Sequence, residues 1–105
     1  MKVIKASTLT KAQSQRQTAY DYLLDNDAFE VGLYKLAAGG LDKQNPHKFP
    51  EVYFVIEGAA NFETEGHETA SISRGDLIYV DAHKTHRFCD ISADLTLLVF
   101  FAKVE

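Results

Sequence analysis

Short apolar runs separated by turn residues cover the chain from residue 19 onward. The runs have the length of β-strands, and almost no signal for a helix accompanies them. We predict strands within the segments AYDYLL, AFEVGLYKLA, VYFVIE, AANFETE, HETASIS, LIYV, THRFCD and DLTLLVFFAKV. About seven or eight short strands at regular spacing are typical of an antiparallel sandwich or barrel, so the pattern predicts an all-β fold.

Turn residues mark the ends of these strands. The segment Asp25–Asp27 separates the first two runs, and its short polar side chains tolerate left-handed backbone, so we predict a β-hairpin there. Gly66 and the segment Arg74–Asp76 predict two further turns. The segments DAHK and ISAD are expected to separate the last three strands from one another.

Both prolines of the chain lie just before the VYFVI run. Because proline cannot donate a backbone hydrogen bond, Pro46 and Pro50 predict that the stretch from Gly39 to Gly58 begins as an edge strand or a bulged strand. Its second half, VYFVI, carries the β-branched and aromatic residues that are typical of a much stronger strand.

The beginning of the chain differs from the rest. Residues 5–18 are polar and show no convincing apolar period, and their helix-start signal is limited to Thr10 with Gln13 three positions later. We therefore predict an N-terminal arm over residues 1–18, with room for one short helical turn, and a barrel domain over residues 19–105. A chain of 105 residues has the size of one domain.

The last predicted strand is apolar on both faces. In an extended chain its residues divide by parity into two sets, Leu95, Leu97, Val99 and Phe101 on one face and Leu98 and Phe100 on the other. A domain of this size has one interior, so the second apolar face predicts another packed surface, most simply a homodimer interface. Two layers of one sandwich that cover both faces are the alternative.

Composition narrows the possible partners and location. The formal net charge is −4 and no basic run occurs, which argues against nucleic acid and anionic membranes as partners. The apolar runs are too short to span a membrane, and the N-terminus lacks the apolar core of a signal peptide, so we expect no export. The single cysteine, Cys89, cannot form an internal disulfide, which fits the cytoplasm.

Two histidines and a glutamate are the candidate chemical groups. Asn45, His47 and Glu51 share the parity that would point them to one face of an extended chain, and His86 follows the LIYV run. Two histidines and one carboxylate form the facial set that binds non-haem iron, and the same donors suit manganese, zinc, nickel and copper. An exposed or hydrogen-bonded His–Glu pair without metal is the alternative.

The spacing of these residues resembles the first motif of the cupin superfamily. That motif reads Gly, five residues, His, one residue, His, three or four residues, Glu, six residues, Gly. In this chain the same frame is formed by Gly39, Asn45, His47, Glu51 and Gly58. Every spacing agrees, and the one substitution is the asparagine in place of the first histidine.

The second cupin motif is also present in part. It reads Gly, five residues, Pro, one residue, Gly, two residues, His, three residues, Asn. Gly75 and His86 match it at the correct spacing, whereas Asp81, His83 and Asp90 replace the Pro, Gly and Asn of the family. The two motifs together cover residues 39–90, and the flanking strands complete the length of a small single-domain cupin.

The resemblance implies a double-stranded β-helix, which is a jelly-roll barrel with a metal near one open end. By position, His47, Glu51 and His86 would bind the divalent metal, and Asn45 would be a weak ligand or a substrate contact. An amide oxygen is a poorer ligand for zinc or iron than an imidazole, so we expect weaker metal binding or three protein ligands. A metal-free cupin that uses the barrel as a binding cup is the alternative.

The same parity places aromatic side chains beside these residues. Phe49, Tyr53 and Phe88 are expected to form an apolar pocket wall, although each alone could be ordinary core. Tyr34 and Tyr79 could add a phenol, but the sequence does not fix the face they take.

Function is expected from the resemblance. It implies a metalloprotein that binds or acts on a small organic molecule, with dioxygenase, isomerase or lyase chemistry all open. A non-catalytic ligand-binding cupin with a degenerate metal site is the alternative. Whether the protein is an enzyme stays open at this point, because one fold supports many reactions.

Overall fold

The computed structural model describes residues 1–9 and 18–104. The predicted helical turn is present near the start of the chain, while the helix-start signal at Thr10 and Gln13 lies outside the described residues. The division into an arm over 1–18 and a barrel over 19–105 stays a prediction. The elements in chain order are α1 (Ala6–Leu9), β1 (Thr18–Asp25), β2 (Phe29–Leu36), β3 (Glu51–Thr64), β4 (Ala70–Ser73), β5 (Leu77–Val80) and β6 (His86–Ala102).

The predicted hairpin joins β1 to β2. The backbone amides of Ala28 and Phe29 donate to Asn26 Oδ1 at 2.8 and 2.9 Å, and the Asn26 amide donates to the Phe29 carbonyl at 2.9 Å. The asparagine side chain therefore replaces part of the backbone hydrogen bonding at the turn. The resulting register places Tyr20 opposite Tyr34.

All the strand pairs of the described chain are antiparallel, which confirms the all-β prediction. The strands follow the order β1-β2-β6-β3-β4, and β5 pairs with β3. The long strands β3 and β6 pair with each other and form the centre of the sheet. The hairpin β1–β2 is attached to the outer edge of β6 and forms one end of the sheet.

Strand β3 changes its buried face halfway along its length. Glu51, Tyr53 and Val55 are buried at odd positions, and Ala60 and Phe62 are buried at even positions after the change. The register with β6 shifts repeatedly in this region. Such bulges bend a strand and increase its twist, so both ends of the curved sheet close around one interior.

Gly58 lies at this change of face. Its φ of 98° is in the left-handed region, and a Cβ at this position would overlap the backbone of Asp94 and Leu95. Only glycine combines this backbone conformation with so close an approach to the neighbouring strand.

Three sequence-based boundaries were wrong. Residues 41–50 form no strand, because Pro46 and Pro50 interrupt the backbone donors and β3 begins only at Glu51. The runs VYFVIE and AANFETE form one strand, since Gly58 bends the chain without ending it. The ISAD segment likewise continues β6: Ile91 is buried, and Ala93 pairs with Ala59.

The interior contains an aromatic cluster close to the beginning of β6. The ring of Phe88 contacts the rings of Tyr53 and Phe62, with centroid distances of 5.0 and 4.7 Å. Burying a side chain of this size contributes about 1.5–3 kcal/mol to stability. Tyr53 and Phe88 are each almost fully buried, so this cluster is part of the hydrophobic core.

The outer face of the sheet carries the second apolar set. Phe54 and Phe100 are 38% and 37% exposed, and Leu77 and Tyr79 of the neighbouring β5 are more exposed still. The register places these residues on one side, because Phe54 lies opposite Leu77 and Tyr79 lies on the same face through Val52. Strand β6 is therefore apolar on both of its faces in this region, as the sequence predicted.

The described residues include no helix with the length and apolar character needed to cross a membrane.

Candidate metal centre

The three predicted ligands come from different parts of the chain. Glu51 is the first residue of β3, His86 is the first residue of β6, and His47 lies in the loop that precedes β3. In the sheet register His86 lies opposite Thr64, at the far end of β3 from Glu51. The curvature of β3 therefore brings together side chains that a flat sheet would hold far apart.

Glu51 is the centre of the cluster. Its Oε1 lies 2.7 Å from His86 Nε2 and 3.2 Å from His47 Nδ1. One ligand atom from each of the three residues lies within 4.8 Å of the other two. The side chains of Glu51 and His86 are 2% and 1% exposed, whereas that of His47 is 35% exposed. The cluster is therefore open to solvent on the side of His47.

A backbone carbonyl fixes the orientation of His86. His86 Nδ1 lies 2.8 Å from the Lys84 carbonyl oxygen, which can only accept a hydrogen bond, so Nδ1 carries the proton. Nε2 is then the nitrogen that faces Glu51: it donates to the carboxylate when protonated and would offer its lone pair to a metal when neutral. This pattern is usual for metal-binding histidines, which donate their other ring N–H to a carbonyl or carboxylate.

The pKa values of Glu51 and His86 are both shifted in the direction that favours their charged forms. Burial raises the pKa of Glu51, but hydrogen bonds from His47 and His86 more than offset it and hold that pKa below its ordinary value. Burial lowers the pKa of His86, but its bonds to Glu51 and to the Lys84 carbonyl raise it overall. Glu51 is therefore an ionised carboxylate, the form that binds a cation.

The second oxygen of Glu51 shows that the cluster fits a metal. Glu51 Oε2 is buried and has no hydrogen-bond partner among the residues that the structure describes. A buried anionic oxygen without a partner is costly, and a proton on His86 Nε2 would satisfy only Oε1. A divalent cation bound by the carboxylate and the two imidazoles would compensate the charge on both oxygens.

Gln44, and not Asn45, is among the residues that line the cavity beside this cluster. Asn45 is exposed, while the adjacent Gln44 lines the cavity beside Glu51. Gln44 Oε1 accepts a hydrogen bond from the Tyr53 hydroxyl at 3.1 Å, and Gln44 Nε2 donates to Asp42 Oδ2 at 2.7 Å. The strand parity that selected Asn45 does not apply in the loop, so the sequence missed Gln44. Metal binding by Asn45 stays a prediction.

A cavity of about 380 Å³ adjoins the cluster. Of the predicted aromatic wall, Phe49 and Tyr53 line it, and Phe88 lies behind them in the core. Tyr34 faces the cavity, whereas Tyr79 is exposed on the outer face. The sequence missed several further lining residues, namely Tyr20, Tyr22, Glu30, Lys48, Val99 and Phe101.

Comparison with known proteins decides the family. The family model for the cupin domain matches residues 32–101, which is most of the chain. The chain belongs to the cupin superfamily. Over all 105 of its residues, it is also 41% identical to an uncharacterized protein of Streptomyces coelicolor, covering 100% of this chain and 99% of the relative.

Solved cupin structures share the fold. A cupin from Methanocaldococcus jannaschii with a double-stranded β-helix has a TM-score of 0.74 at 15% identity, over 88% of this chain and 86% of that one. KdgF from a Halomonas species has a TM-score of 0.74 at 19% identity, over 89% and 87%. These likenesses confirm the double-stranded β-helix that the motifs implied.

A lyase is also among the similar structures. The DMSP lyase DddQ of Ruegeria pomeroyi has a TM-score of 0.77 at 22% identity, over 82% of this chain and 47% of the lyase. The chain thus spans about half the length of that lyase. At this identity the likeness concerns the fold.

Two of the residues that depart from the second cupin motif have left-handed backbone. His83 and Asp90, which replace Gly and Asn, have φ values of 66° and 47°, in the left-handed region that those residues favour. The His83 amide donates to the His47 carbonyl at 2.7 Å. The strained turn at His83 therefore fixes the loop that carries one of the candidate ligands.

Proposed function

We propose that this cupin binds a divalent metal through His47, Glu51 and His86 and acts on a small organic molecule held in the adjoining cavity. The observation that carries the proposal is the buried Glu51 Oε2, which has no hydrogen-bond partner in the described chain although it belongs to an ionised carboxylate. The cavity supports a substrate site, because its volume of about 380 Å³ suits a small molecule.

The metal, when bound, would supply Lewis acidity and hold an acidic or enolic oxygen of the substrate. Tyr53 would donate its single hydroxyl proton to a substrate oxygen beside the metal centre by exchanging the hydrogen bond that it makes to Gln44 in this structure. Its hydroxyl lies 3.2 Å from His86 Nε2 and donates to Gln44 Oε1 at 3.1 Å. Burial, and then the negative charge of Glu51, raises the pKa of Tyr53 well above its ordinary value, so the phenol keeps its proton.

Two neighbouring rings pack against His47 and shield part of its surface from water. The His47 ring packs edge-on against Phe101, with a centroid distance of 4.9 Å, and lies 5.5 Å from the His86 ring. These contacts orient His47 although it lies in a loop. A substrate could still approach through the side on which His47 is partly exposed, since that side opens into the cavity.

Metal analysis tests the proposal. The full chain would be treated with chelator and then titrated with manganese, iron(II), zinc, nickel and copper in turn. We expect binding of about one ion per chain with at least one of these metals, and a higher melting temperature in its presence. His86→Ala and Glu51→Gln should abolish both effects, whereas His67→Ala, at an exposed turn, should leave them unchanged.

The opposite result is equally clear. If none of the metals binds and none changes the melting temperature, the protein is a metal-free binding cup. If metal binds equally well to the His86→Ala and His67→Ala variants, the metal site lies elsewhere on the chain.

We further infer that two copies pair through the outer face of the sheet. Phe54, Leu77, Tyr79 and Phe100 expose apolar surface there, and association would remove it from water. Sedimentation equilibrium of the wild type should give a dimer mass, and Phe54→Lys should give a monomer mass. A monomeric wild type would contradict this inference.

A cytoplasmic location is part of the same proposal, because Cys89 is a free cysteine. Separation of cell fractions followed by detection of the native protein would test it, and recovery outside the cytoplasm would contradict it.

A further inference from the structure

The β1–β2 hairpin contributes a second kind of surface to the cavity. Three tyrosines and one glutamate of this hairpin line it, and we refer to Tyr20, Tyr22, Glu30 and Tyr34 as the tyrosine wall. None of these residues belongs to the metal centre. The metal proposal therefore leaves the chemistry of this wall unexplained.

The three rings of the tyrosine wall are turned steeply against one another. The Tyr20 ring lies between the other two, 5.1 Å from the Tyr22 ring at an interplanar angle of 72° and 6.1 Å from the Tyr34 ring at 52°. Rings at such angles do not form one flat stacked surface, and all three line the cavity. A compact group bound against this wall could therefore contact more than one π-system.

Gly32 makes this arrangement possible. A Cβ at Gly32 would overlap Cζ and the hydroxyl oxygen of Tyr20, so the tyrosine ring fills the space that any other side chain would occupy. The Gly32 backbone lies outside the left-handed region, so space alone requires glycine here. From this position the Tyr20 hydroxyl donates to Glu30 Oε2 at 2.8 Å.

The hydroxyl groups of the two inner tyrosines are already used. Tyr20 donates to Glu30, and Tyr34 donates to Asp42 Oδ1 at 2.6 Å. A ligand with many hydroxyl groups, such as a sugar, would therefore find few free hydrogen-bonding groups on this wall. The ring surfaces and the negative charge of Glu30 remain available to a ligand.

The charge of Glu30 is not neutralised by an ion pair in the described chain. Among those residues Glu30 forms no salt bridge with Lys or Arg, and Lys103, whose charge acts on it from a distance, is paired with Asp25. Lys48, the cation that lines the cavity, lies over the Phe49 ring, 4.9 Å from its centroid. The tyrosine wall thus combines a carboxylate with electron-rich rings, which is the chemistry that recognises an organic cation.

We propose that the tyrosine wall binds a methylated ammonium group, or an equally compact organic cation, of the ligand. This inference rests on the proposed function, because it names the substrate class of the same cavity. That substrate would be a small zwitterion, with an acidic oxygen at the metal centre and a cationic group beside Glu30 and against the cavity-lining sides of the Tyr20 and Tyr22 rings.

Two probes of equal shape test the inference. Choline and 3,3-dimethylbutan-1-ol differ in that a quaternary nitrogen replaces a quaternary carbon, so their difference in affinity measures the effect of charge. We expect the full chain to bind choline about tenfold more tightly in calorimetric or NMR titrations, which corresponds to about 1.4 kcal/mol. Equal affinity for the two probes would overturn the inference.

Variants of the tyrosine wall locate the site. Glu30→Gln keeps the shape and removes the charge, so it should remove most of the preference for choline. Tyr22→Ala truncates an exposed ring and should weaken choline binding with little risk to folding. Gly32→Ala should weaken it by displacing Tyr20. Glu68→Gln, at an exposed loop position, is the matched control and should behave as the wild type. A choline preference that survives Glu30→Gln would place the cation elsewhere.

The metal centre and the tyrosine wall can fail independently. Choline has no acidic oxygen, so its binding should persist after chelation and in the His86→Ala variant. Persistent choline binding without any metal binding would contradict the metal proposal alone. Normal metal binding together with equal affinity for the two probes would contradict the cation site alone.

Discussion

The metal centre and the tyrosine wall line the same cavity but differ in how firmly the fold holds them. Glu51 and His86 begin the two central strands, and their side chains are almost completely buried. The tyrosine wall lies on the terminal hairpin of the sheet, and its Tyr22 is 68% exposed. A buried polar cluster at the centre of a sheet tolerates few changes, whereas an edge hairpin can change its side chains without loss of the fold. Under the two proposals, the firmly held part would bind the acidic oxygen of the ligand and the edge hairpin would select its cationic group.

Asp42 connects these two parts. This buried carboxylate accepts hydrogen bonds from the Tyr34 hydroxyl at 2.6 Å, from Gln44 Nε2 at 2.7 Å and from the Phe88 amide at 2.9 Å. Tyr34 belongs to the tyrosine wall, and Gln44 holds the Tyr53 hydroxyl beside the metal centre. Removing Asp42 should therefore disturb both parts of the cavity, because each part contains a side chain that Asp42 holds directly or through Gln44.

Asp42→Ala should have the largest effect. It removes three hydrogen bonds and leaves the Phe88 amide buried without a partner, so we expect a loss of about 2–4 kcal/mol in the free energy of unfolding. Urea denaturation measures this loss, and Asp21→Ala, at an exposed position on β1, is the control. A loss below about 1 kcal/mol would show that the two parts of the cavity are held independently.

The neighbouring side-chain amides of Gln44 and Asn45 offer a test of what determines metal affinity. Gln44→Ala removes the acceptor of the Tyr53 hydroxyl and one donor to Asp42, so we expect metal affinity to fall about tenfold, as for other groups that orient a ligand shell. Asn45→Ala, at the exposed neighbour, should leave metal affinity unchanged and stability within about 0.5 kcal/mol. Competitive titration with a metal-sensitive dye measures both variants. The reverse order would establish Asn45 as a ligand.

The contrast between these amides also shows where sequence reasoning succeeds. In the first half of β3 the alternation of side chains holds, since Glu51, Tyr53 and Val55 are buried and Phe54 is exposed. The motif spacing therefore predicted a histidine and a glutamate that the structure brings together with His86. Both His47 and Asn45 precede the strand, which begins only at Glu51, so strand parity does not determine where their side chains lie, and the assignment of Asn45 as a ligand stays a prediction.

The tyrosine wall could not be predicted for a different reason. The closeness of the hairpin to the metal centre depends on the curvature that the β3 bulges impose, and this curvature is a property of strand pairing over the whole sheet. Nothing in the sequence around Gly32 indicates which side chain packs over it. Its role became visible only when the register placed the neighbouring Tyr20 ring over it.

The smallest expected effect concerns the hydrogen bond within the tyrosine wall. Burial, and then the hydrogen bond to Glu30, raises the pKa of Tyr20 above its ordinary value. The unfolded chain loses this phenolic proton near pH 10, while the folded protein retains it. The stability that the protonated phenol contributes is therefore complete below about pH 10 and declines as the pH rises further.

Tyr20→Phe has no phenolic proton, so its unfolding free energy should decline less steeply above pH 10 than that of the wild type. Below pH 9 the two proteins should differ by about 1 kcal/mol at every pH, the usual contribution of one hydrogen bond. Urea denaturation at a series of pH values measures both quantities, with Tyr22→Phe on the exposed ring as the control. Parallel curves for wild type and Tyr20→Phe up to pH 11 would show that Glu30 does not hold the Tyr20 proton, and the fixed geometry of the tyrosine wall would then depend on Gly32 alone.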